Sequence, residues 1–195
     1  MKGDSNMSQL SREDVLQKYQ QGESFQNLDL SGIDLSYENL KNADFSNANL
    51  KDAHLQNANL ERANFSGAVL ENVFLFGANL SYAVFTNANI NNGNLQDTNL
   101  ENANFENANL FHAKLFGVQA ENCSFKRANL STARMKRANF QRTNFQDANL
   151  SGAHLERSDL RHANLNNANL SGAFLKPAQL DHASMDGSNT QGMTI

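Results

Sequence analysis

The side chains best suited to bind a metal ion in this sequence are its five histidines: His54, His112, His154, His162 and His182. Imidazole is a common zinc ligand, and a zinc site needs three or four ligands held close together. Only His162 and His182 stand 20 residues apart, the spacing that the repeat described below places on adjacent coils, with Arg142 one coil earlier. Two histidines beside an arginine make a poor zinc site. We therefore expect surface histidines, no bound metal and no cofactor.

The sequence also offers little for covalent catalysis. Its single cysteine, Cys123, stands where the repeat usually has a small inward residue, and a buried thiol of that kind is usually inert. The spacing groups no serine, histidine and aspartate, and the sequence contains no glycine-rich phosphate loop. These patterns predict a protein that is not an enzyme.

The element that positions all these side chains is a repeat of five residues. Residues at multiples of five are large and apolar from Phe25 to Met185, with Ala120 as the clear exception. A small residue, usually alanine, precedes each of them by two positions, and asparagine or aspartate most often lies between the two. The two remaining positions are polar. A fixed period of this kind is typical of a repeat architecture.

Neither a helix nor a straight strand buries apolar residues at this spacing. An α-helix advances about 100° per residue, so residues five apart spiral around it. In a straight strand they point to opposite faces. A chain that runs extended for a few residues and then turns a corner in every unit buries all of them, and asparagine, serine and glycine suit such corners.

The phenylalanines indicate how many corners complete one coil. Seven of them lie 20 residues apart and form a predicted structural core stack: Phe25, Phe45, Phe65, Phe85, Phe105, Phe125 and Phe145. Only Phe140 is a central phenylalanine outside this series. A period of 20 residues predicts four units per coil, and so an all-β square solenoid of about eight coils.

The units 48–52 (Ala-Asn-Leu-Lys-Asp) and 58–62 (Ala-Asn-Leu-Glu-Arg) resemble the pentapeptide-repeat family, whose unit is A(N/D)LXX. The resemblance extends over residues 23–187. It implies a right-handed quadrilateral β-helix, although period and spacing alone do not fix the hand. It also points to a cyanobacterial source, because the family is abundant there.

The chain divides into three predicted parts: an N-terminal segment with a capping helix at 1–22, the β-helix at 23–187 and a C-terminal tail at 188–195. The helix is expected over 12–21. Its N-cap would be Ser11, with Asp14 as the capping-box partner and Gly22 as the stop. Three apolar residues of this helix are expected to cover the first coil: Val15, Leu16 and Tyr19. The polar tail offers no such cap, so it either frays or meets a second molecule.

Three interior positions depart from the repeat. Glu38 occupies a small inward position, where an unpaired carboxylate is costly, so we expect it to be hydrated or paired with Arg12 or Lys18. Val118 and Ala120 exchange sizes within one unit, which roughly conserves the volume of the core.

Outward aromatic and basic side chains gather on one side of the predicted solenoid. They define a predicted protein-binding surface: Phe74, Phe76, Phe116, Arg134, Lys136 and Arg137. Aromatic residues and arginine are favoured anchors of protein interfaces. Scattered apolar residues are also normal on protein surfaces, so only the clustering supports the binding interpretation.

Composition and charge limit the classes of function. The chain has 195 residues and a net charge of -4, which excludes a strongly basic nucleic-acid-binding protein. Some proteins of the family mimic duplex DNA, bind type II topoisomerase such as DNA gyrase, and are acidic dimers joined at their C-termini. This chain lacks comparable acidity, so mimicry is the alternative and a scaffold for an unknown protein partner is the main prediction.

The remaining expectations concern location and assembly. No apolar run is long enough to span a bilayer, and residues 1–24 lack the apolar core of a secretory signal. We expect a cytoplasmic protein that binds neither membranes nor nucleic acid directly. We also expect a monomer rather than an end-to-end dimer.

Overall fold

The computed structural model describes residues 10–195, and residues 1–9 of the predicted N-terminal segment lie outside this part. The described chain begins with one α-helix, α1, at Arg12–Gln20. After the helix, the chain forms short extended stretches that alternate with tight corners up to its C-terminus.

Helix α1 begins and ends close to where the sequence predicts. Ser11 is the N-cap, and both hydrogen bonds of a capping box with Asp14 are present. Val15 is buried in the core, while the partly buried Leu16 and Tyr19 pack against it. The predicted cap over the first coil is therefore confirmed.

The extended stretches pair through isolated parallel β-bridges. Every bridge joins a residue to the one 20 positions later, from Asp29 with Asn49 to Phe174 with Thr194. Around Asn49, for example, its own amide donates to the Leu28 carbonyl at 2.9 Å, and the Leu50 amide donates to the Val69 carbonyl at 2.7 Å. Four pentapeptides therefore complete one coil, which is the period that the phenylalanines predict.

Each coil has four walls, which we number 1 to 4 in chain order by the central residues that begin them: Phe25, Leu30, Leu35 and Leu40. Further members of a wall follow every 20 residues. The central residues and the small residues two positions before them are almost all buried and form one continuous core. Burial of this apolar surface is the main favourable contribution to folding.

The predicted phenylalanine stack fills the inner side of wall 1. Successive rings lie nearly parallel, with centroids 4.5 Å apart for Phe85 and Phe105 and 5.1 Å apart for Phe45 and Phe65. Phe140 projects from wall 4 and meets Phe125 and Phe145 edge-on. The stack therefore runs along the core as predicted.

Most corners are tight turns closed by a backbone hydrogen bond, such as the one from the Ala48 amide to the Phe45 carbonyl at 3.0 Å. The second corner residue has a positive φ in every turn from Asn27 to Gly192 except at Pro177. Asparagine and glycine tolerate this conformation best, which explains their frequency there.

The asparagine before each central residue also stabilises the coil. Its side-chain oxygen accepts from the backbone amide two residues later, as between Asn129 and Ser131 at 3.2 Å. Its side-chain nitrogen donates to the asparagine one coil before, as from Asn109 to Asn89 at 3.0 Å. Asparagine thus makes bonds both within its own turn and between coils.

At the C-terminal end, the pairing continues beyond residue 187. Asn189 and Thr194 bridge to Asn169 and Phe174, so the backbone after residue 187 follows the same coil geometry. Partly buried side chains, among them Met193, pack against the core at this end.

At the N-terminal end, Glu38 forms an ion pair with Arg12 of α1. The same guanidinium donates to the Ser36 carbonyl at 3.3 Å, so one side chain links the helix to the first coil. The Glu38 side chain is about one quarter exposed, at 24%. The predicted pairing of this inward carboxylate with Arg12 is confirmed.

Candidate functional site

Wall 3 differs from the other walls at its middle outward position, the one before each central residue. On wall 2 this position is mostly asparagine: Asp29, Asn49, Val69, Asn89, Asn109, Asn129, Asn149, Asn169 and Asn189. On wall 3 the same position is varied and rich in aromatic and basic residues: Asp34, His54, Phe74, Asn94, Lys114, Arg134, His154, Phe174 and Thr194.

This difference removes hydrogen bonds. The side chains of phenylalanine, lysine and arginine have no acceptor atom, so they cannot accept a hydrogen bond from the backbone amide two residues later, as asparagine does. Wall 3 therefore lacks most of the bonds that asparagine supplies elsewhere. Local departures from the pattern that best stabilises a fold are expected at functional sites.

The aromatic residues of this column stack on histidines of neighbouring coils. The rings of His54 and Phe74 lie 4.6 Å apart, and those of His154 and Phe174 have the same spacing. Phe74 is 39% exposed and Phe76, at the adjacent corner, is 43% exposed. Apolar rings are therefore available to a partner at this part of wall 3.

The other predicted site residues lie further along the same wall. The Arg137 guanidinium sits over the Phe116 ring at 5.7 Å, a cation–π distance. Phe76 and Phe116 occupy the same corner column, with Gln96 of the intervening coil between them.

Two shallow grooves run along either side of the column that contains Phe116 and Lys136. One groove is lined by the middle column and its neighbours: Gln96, Lys114, Phe116, Arg134, Lys136 and His154. The other is lined by the corner residues: Phe116, Lys136, Arg137, Glu156, Arg157, Lys176 and Pro177. Phe116, Arg134, Lys136 and Arg137 are thus brought together, whereas Phe74 and Phe76 lie outside both grooves.

The carboxylate among these lining residues is that of Glu156, and it is already engaged. Lys136 Nζ lies 2.8 Å from its Oε1, and His154 Nδ1 lies 3.5 Å from the same atom. Partial burial raises the pKa of Glu156, but hydrogen bonds from Lys136, from the backbone and from His154 outweigh it and hold the pKa below its ordinary value. Glu156 is therefore ionised at neutral pH.

Sequence reasoning identified the aromatic and basic cluster but missed Lys114, His54 and His154 as parts of the same column. The sequence does contain this information, because the residues of one column are those found at every twentieth position. Comparing the middle outward columns of the four walls would have singled out wall 3, since the other three columns contain no aromatic or basic residue.

Among the residues considered for other chemistry, Cys123, His162 and His182 lie off wall 3, whereas His54 and His154 belong to its middle column. Cys123 is buried, and burial raises the pKa of its thiol well above the ordinary value, so it is held as an unreactive thiol. His162 and His182 stack with their ring centroids 5.0 Å apart, as predicted. Within residues 10–195, no cluster has three or more side chains of the types that could hold a metal ion.

Comparison with known proteins identifies the family. The sequence profile described as pentapeptide repeats matches in eight copies, at residues 24–62, 43–81, 78–116, 113–152, 138–176 and 158–189. The chain is a pentapeptide repeat protein. Proteins of this family form right-handed quadrilateral β-helices and are generally structural or interaction scaffolds.

Solved structures of pentapeptide repeat proteins are similar to this chain. HetL, involved in heterocyst differentiation regulation in the cyanobacterium Nostoc sp. strain PCC 7120, is 27% identical, with 94% of this chain and 96% of HetL covered and a TM-score of 0.35. QnrB1, a plasmid-mediated fluoroquinolone resistance protein, is 20% identical, with 87% and 91% covered and a TM-score of 0.58.

Rfr23, a third pentapeptide repeat protein, from the cyanobacterium Cyanothece 51142, is 29% identical over 52% of this chain and 63% of its own, with a TM-score of 0.34. No curated protein sequence matches this chain. Helix α1 is too short to cross a membrane, and residues 10–195 contain no other helix that could do so.

Proposed function

We propose that this pentapeptide repeat protein is a non-enzymatic scaffold that binds another protein through wall 3. The observation that carries the proposal is the outward column of this wall, where aromatic and basic residues replace the asparagines that stabilise the coil. The surface includes the predicted residues Phe74, Phe76, Phe116 and Arg134, together with Lys114. Rigid aromatic rings and arginine on a flat, preformed surface suit recognition of a protein.

The test is affinity capture from a lysate of the native organism with two matched double variants. Phe76→Asp/Phe116→Asp places two carboxylates on wall 3. The control, Val69→Asp/Tyr82→Asp, alters two outward apolar side chains of other walls. A partner that is lost from the wall 3 variant and retained by the control supports the proposal, whereas identical partners for wild type and both variants would refute it.

The alternative function, mimicry of duplex DNA toward DNA gyrase, rests on the fold that this chain shares with QnrB1. Its weakness lies in the charges, because many carboxylates of the coils are neutralised by bases of neighbouring coils. Glu61 pairs with Lys41 at 2.9 Å, and Glu121 pairs with Arg142 at 3.0 Å. Duplex DNA presents a much denser array of free negative charge.

Supercoiling by purified gyrase distinguishes the two functions. The scaffold proposal expects neither inhibition nor protection from a quinolone at micromolar concentrations of this protein. Inhibition that follows the concentration of this protein would support mimicry. The monomeric state and the cytoplasmic location remain predictions, which size-exclusion chromatography with light scattering and cell fractionation would test.

A further inference from the structure

The basic side chains that lack an ion pair are concentrated on wall 3 and its corner. Elsewhere in residues 10–195, lysines and arginines usually pair with a carboxylate, as Lys41 does with Glu61 and Arg127 with Glu106. Within this part of the chain, the basic residues without such a pair are Lys114, Lys126, Arg134, Arg137, Arg157 and Lys176. All except Lys126 line the two grooves described above.

The grooves therefore carry positive charge that no neighbouring coil neutralises. Their lining carboxylate, that of Glu156, already contacts Lys136 and His154. Lys114 and Arg134 belong to one groove, and Arg157 and Lys176 belong to the other. A ligand with several negative charges would complement both.

We propose that the occupant of these grooves is an extended acidic segment of a partner protein, an inference that rests on the proposed function of wall 3. Carboxylates of the segment pair with Lys114 and Arg134 in one groove and with Arg157 and Lys176 in the other. Apolar side chains of the same segment pack on the Phe116 ring. Complementary charge of this kind gives specificity and speeds association.

The dimensions of the basic region suit a short peptide segment. Lys114 and Lys176 lie about three coils apart along the wall, which at ~4.8 Å per coil is on the order of 14 Å. An extended chain spans about 3.3 Å per residue, so about five residues cover this distance.

A polypeptide suits this surface better than a nucleic acid does. The basic region is short, and the exposed rings of Phe74 and Phe76 continue the wall beyond it. A phosphate backbone gains affinity from many cations in succession, which this short region does not offer. A peptide can place acidic side chains on the basic grooves and apolar ones on the rings.

The test is direct binding of charged probes to the full-length protein at low salt, followed by fluorescence anisotropy. The probes are rhodamine-labelled hexaglutamate, hexaglutamine and a seven-nucleotide oligothymidylate, which carries six phosphates. We expect saturable binding of hexaglutamate that weakens as salt increases, and no binding of hexaglutamine. Tighter binding of the oligonucleotide than of hexaglutamate would overturn the assignment to an acidic polypeptide.

Two double variants that remove equal charge locate the binding. We expect Lys114→Gln/Arg134→Gln to weaken hexaglutamate binding about tenfold. The control, Lys126→Gln/Arg142→Gln, removes two positive charges from other walls and should leave binding within about twofold of wild type. Equal losses in the two variants would overturn the proposal, and so would hexaglutamate binding that does not saturate below about 1 mM.

The same variants separate this inference from the proposed function. If the partner captured through wall 3 is still held by Lys114→Gln/Arg134→Gln, and that capture resists high salt, the acidic segment is the wrong ligand while the binding wall stands. If the partner is lost from Phe76→Asp/Phe116→Asp and also from Lys114→Gln/Arg134→Gln, the binding function of wall 3 and the acidic segment are both supported.

Discussion

Thr132 is the residue whose type fits its backbone least well. Its φ is +57°, and among the residues of 10–195 with positive φ it alone is β-branched. Branching at Cβ makes this region of backbone space costly. Its hydroxyl lies 2.6 Å from His112 Nδ1, so the side chain makes a hydrogen-bond contact with the coil before.

Replacing this threonine with the residue that most corners use should stabilise the protein. We expect Thr132→Asn to raise the free energy of unfolding by about 0.5–1 kcal/mol, because strain at a positive φ is relieved. An asparagine side chain can also continue the contact with the coil before, as Asn72 does with Asp52 at 2.9 Å. Urea denaturation followed by circular dichroism measures the change.

The reverse substitution provides the control. Asn122 has a φ of +58° at an equivalent corner, so Asn122→Thr should lower the free energy of unfolding by about 1 kcal/mol. If both threonine-containing corners proved as stable as their asparagine counterparts, corner strain would not be a significant contribution in this fold.

Helix α1 is held to the coil at one end by the ion pair of Arg12 with Glu38. Arg12 also donates to the Ser36 carbonyl, so its removal leaves a carboxylate at an inward position without its partner. Glu38 stands where other units have alanine. The two residues should therefore respond differently to truncation.

We expect Arg12→Ala to destabilise the protein by about 1 kcal/mol and to increase amide hydrogen exchange in α1. Glu38→Ala should be close to neutral, because alanine fits the inward position and removes the carboxylate. In the double variant, the loss should be smaller than that of Arg12→Ala alone. An additive double-mutant cycle would contradict the coupling.

On wall 4, a small and a large central residue in adjacent coils compensate each other in volume. Ala120 leaves the central position small, and Phe140, one coil later on the same wall, brings a large ring into the core against Phe125 and Phe145. We infer that the ring occupies space that a leucine at position 120 would fill. Thr143 of the same coil donates to the Ala120 carbonyl at 2.7 Å.

Placing leucine, the usual central residue, at only one of these two positions should therefore destabilise the protein. We expect Ala120→Leu to cost about 1–3 kcal/mol through overpacking and Phe140→Leu to cost about 1 kcal/mol or more through lost volume. The double variant, which has leucine at both positions, should recover most of the loss. Thermal denaturation of the four proteins measures this, and losses that simply add would show that the two sites are independent.

At the scale of the whole molecule, acidic residues of the outward columns link stability to pH. Hydrogen bonds from Ser31 lower the pKa of Asp29, those from Ser36 lower that of Asp34, and the hydrogen bond from Arg161 lowers that of Asp159. Because these pKa values are lower in the folded than in the unfolded chain, their contribution is complete above the unfolded value. It is lost as the pH falls through the folded value.

We therefore expect the melting temperature to change little between about pH 7 and pH 5 and to fall below about pH 4. Asp34→Asn should reduce the fall, because an asparagine oxygen can still accept from the Ser36 amide but does not titrate. Differential scanning calorimetry across this range provides the measurement. A fall of the same size in Asp34→Asn would exclude Asp34 as a contributor.

Most of the architecture was predictable because each level of it repeats. The spacing of Phe25, Phe45 and their successors predicts the coil period, and the N-terminal signals at Ser11 and Asp14 predict α1. The grooves of wall 3 were harder to predict from the sequence, because they depend on how side chains such as Arg137 lie over neighbours such as Phe116. That arrangement is set by packing between coils, which a one-dimensional pattern does not encode.

The parallel bridges also have a mechanical consequence. Since each joins residues 20 apart along the chain, a force that separates the ends of the solenoid loads the coils one after another. Each coil that detaches releases a length on the order of 60 Å, the contour of 20 residues less the height of one coil. The molecule should therefore lengthen in equal steps under tension, and the proposed binding residues of wall 3 would separate one row at a time.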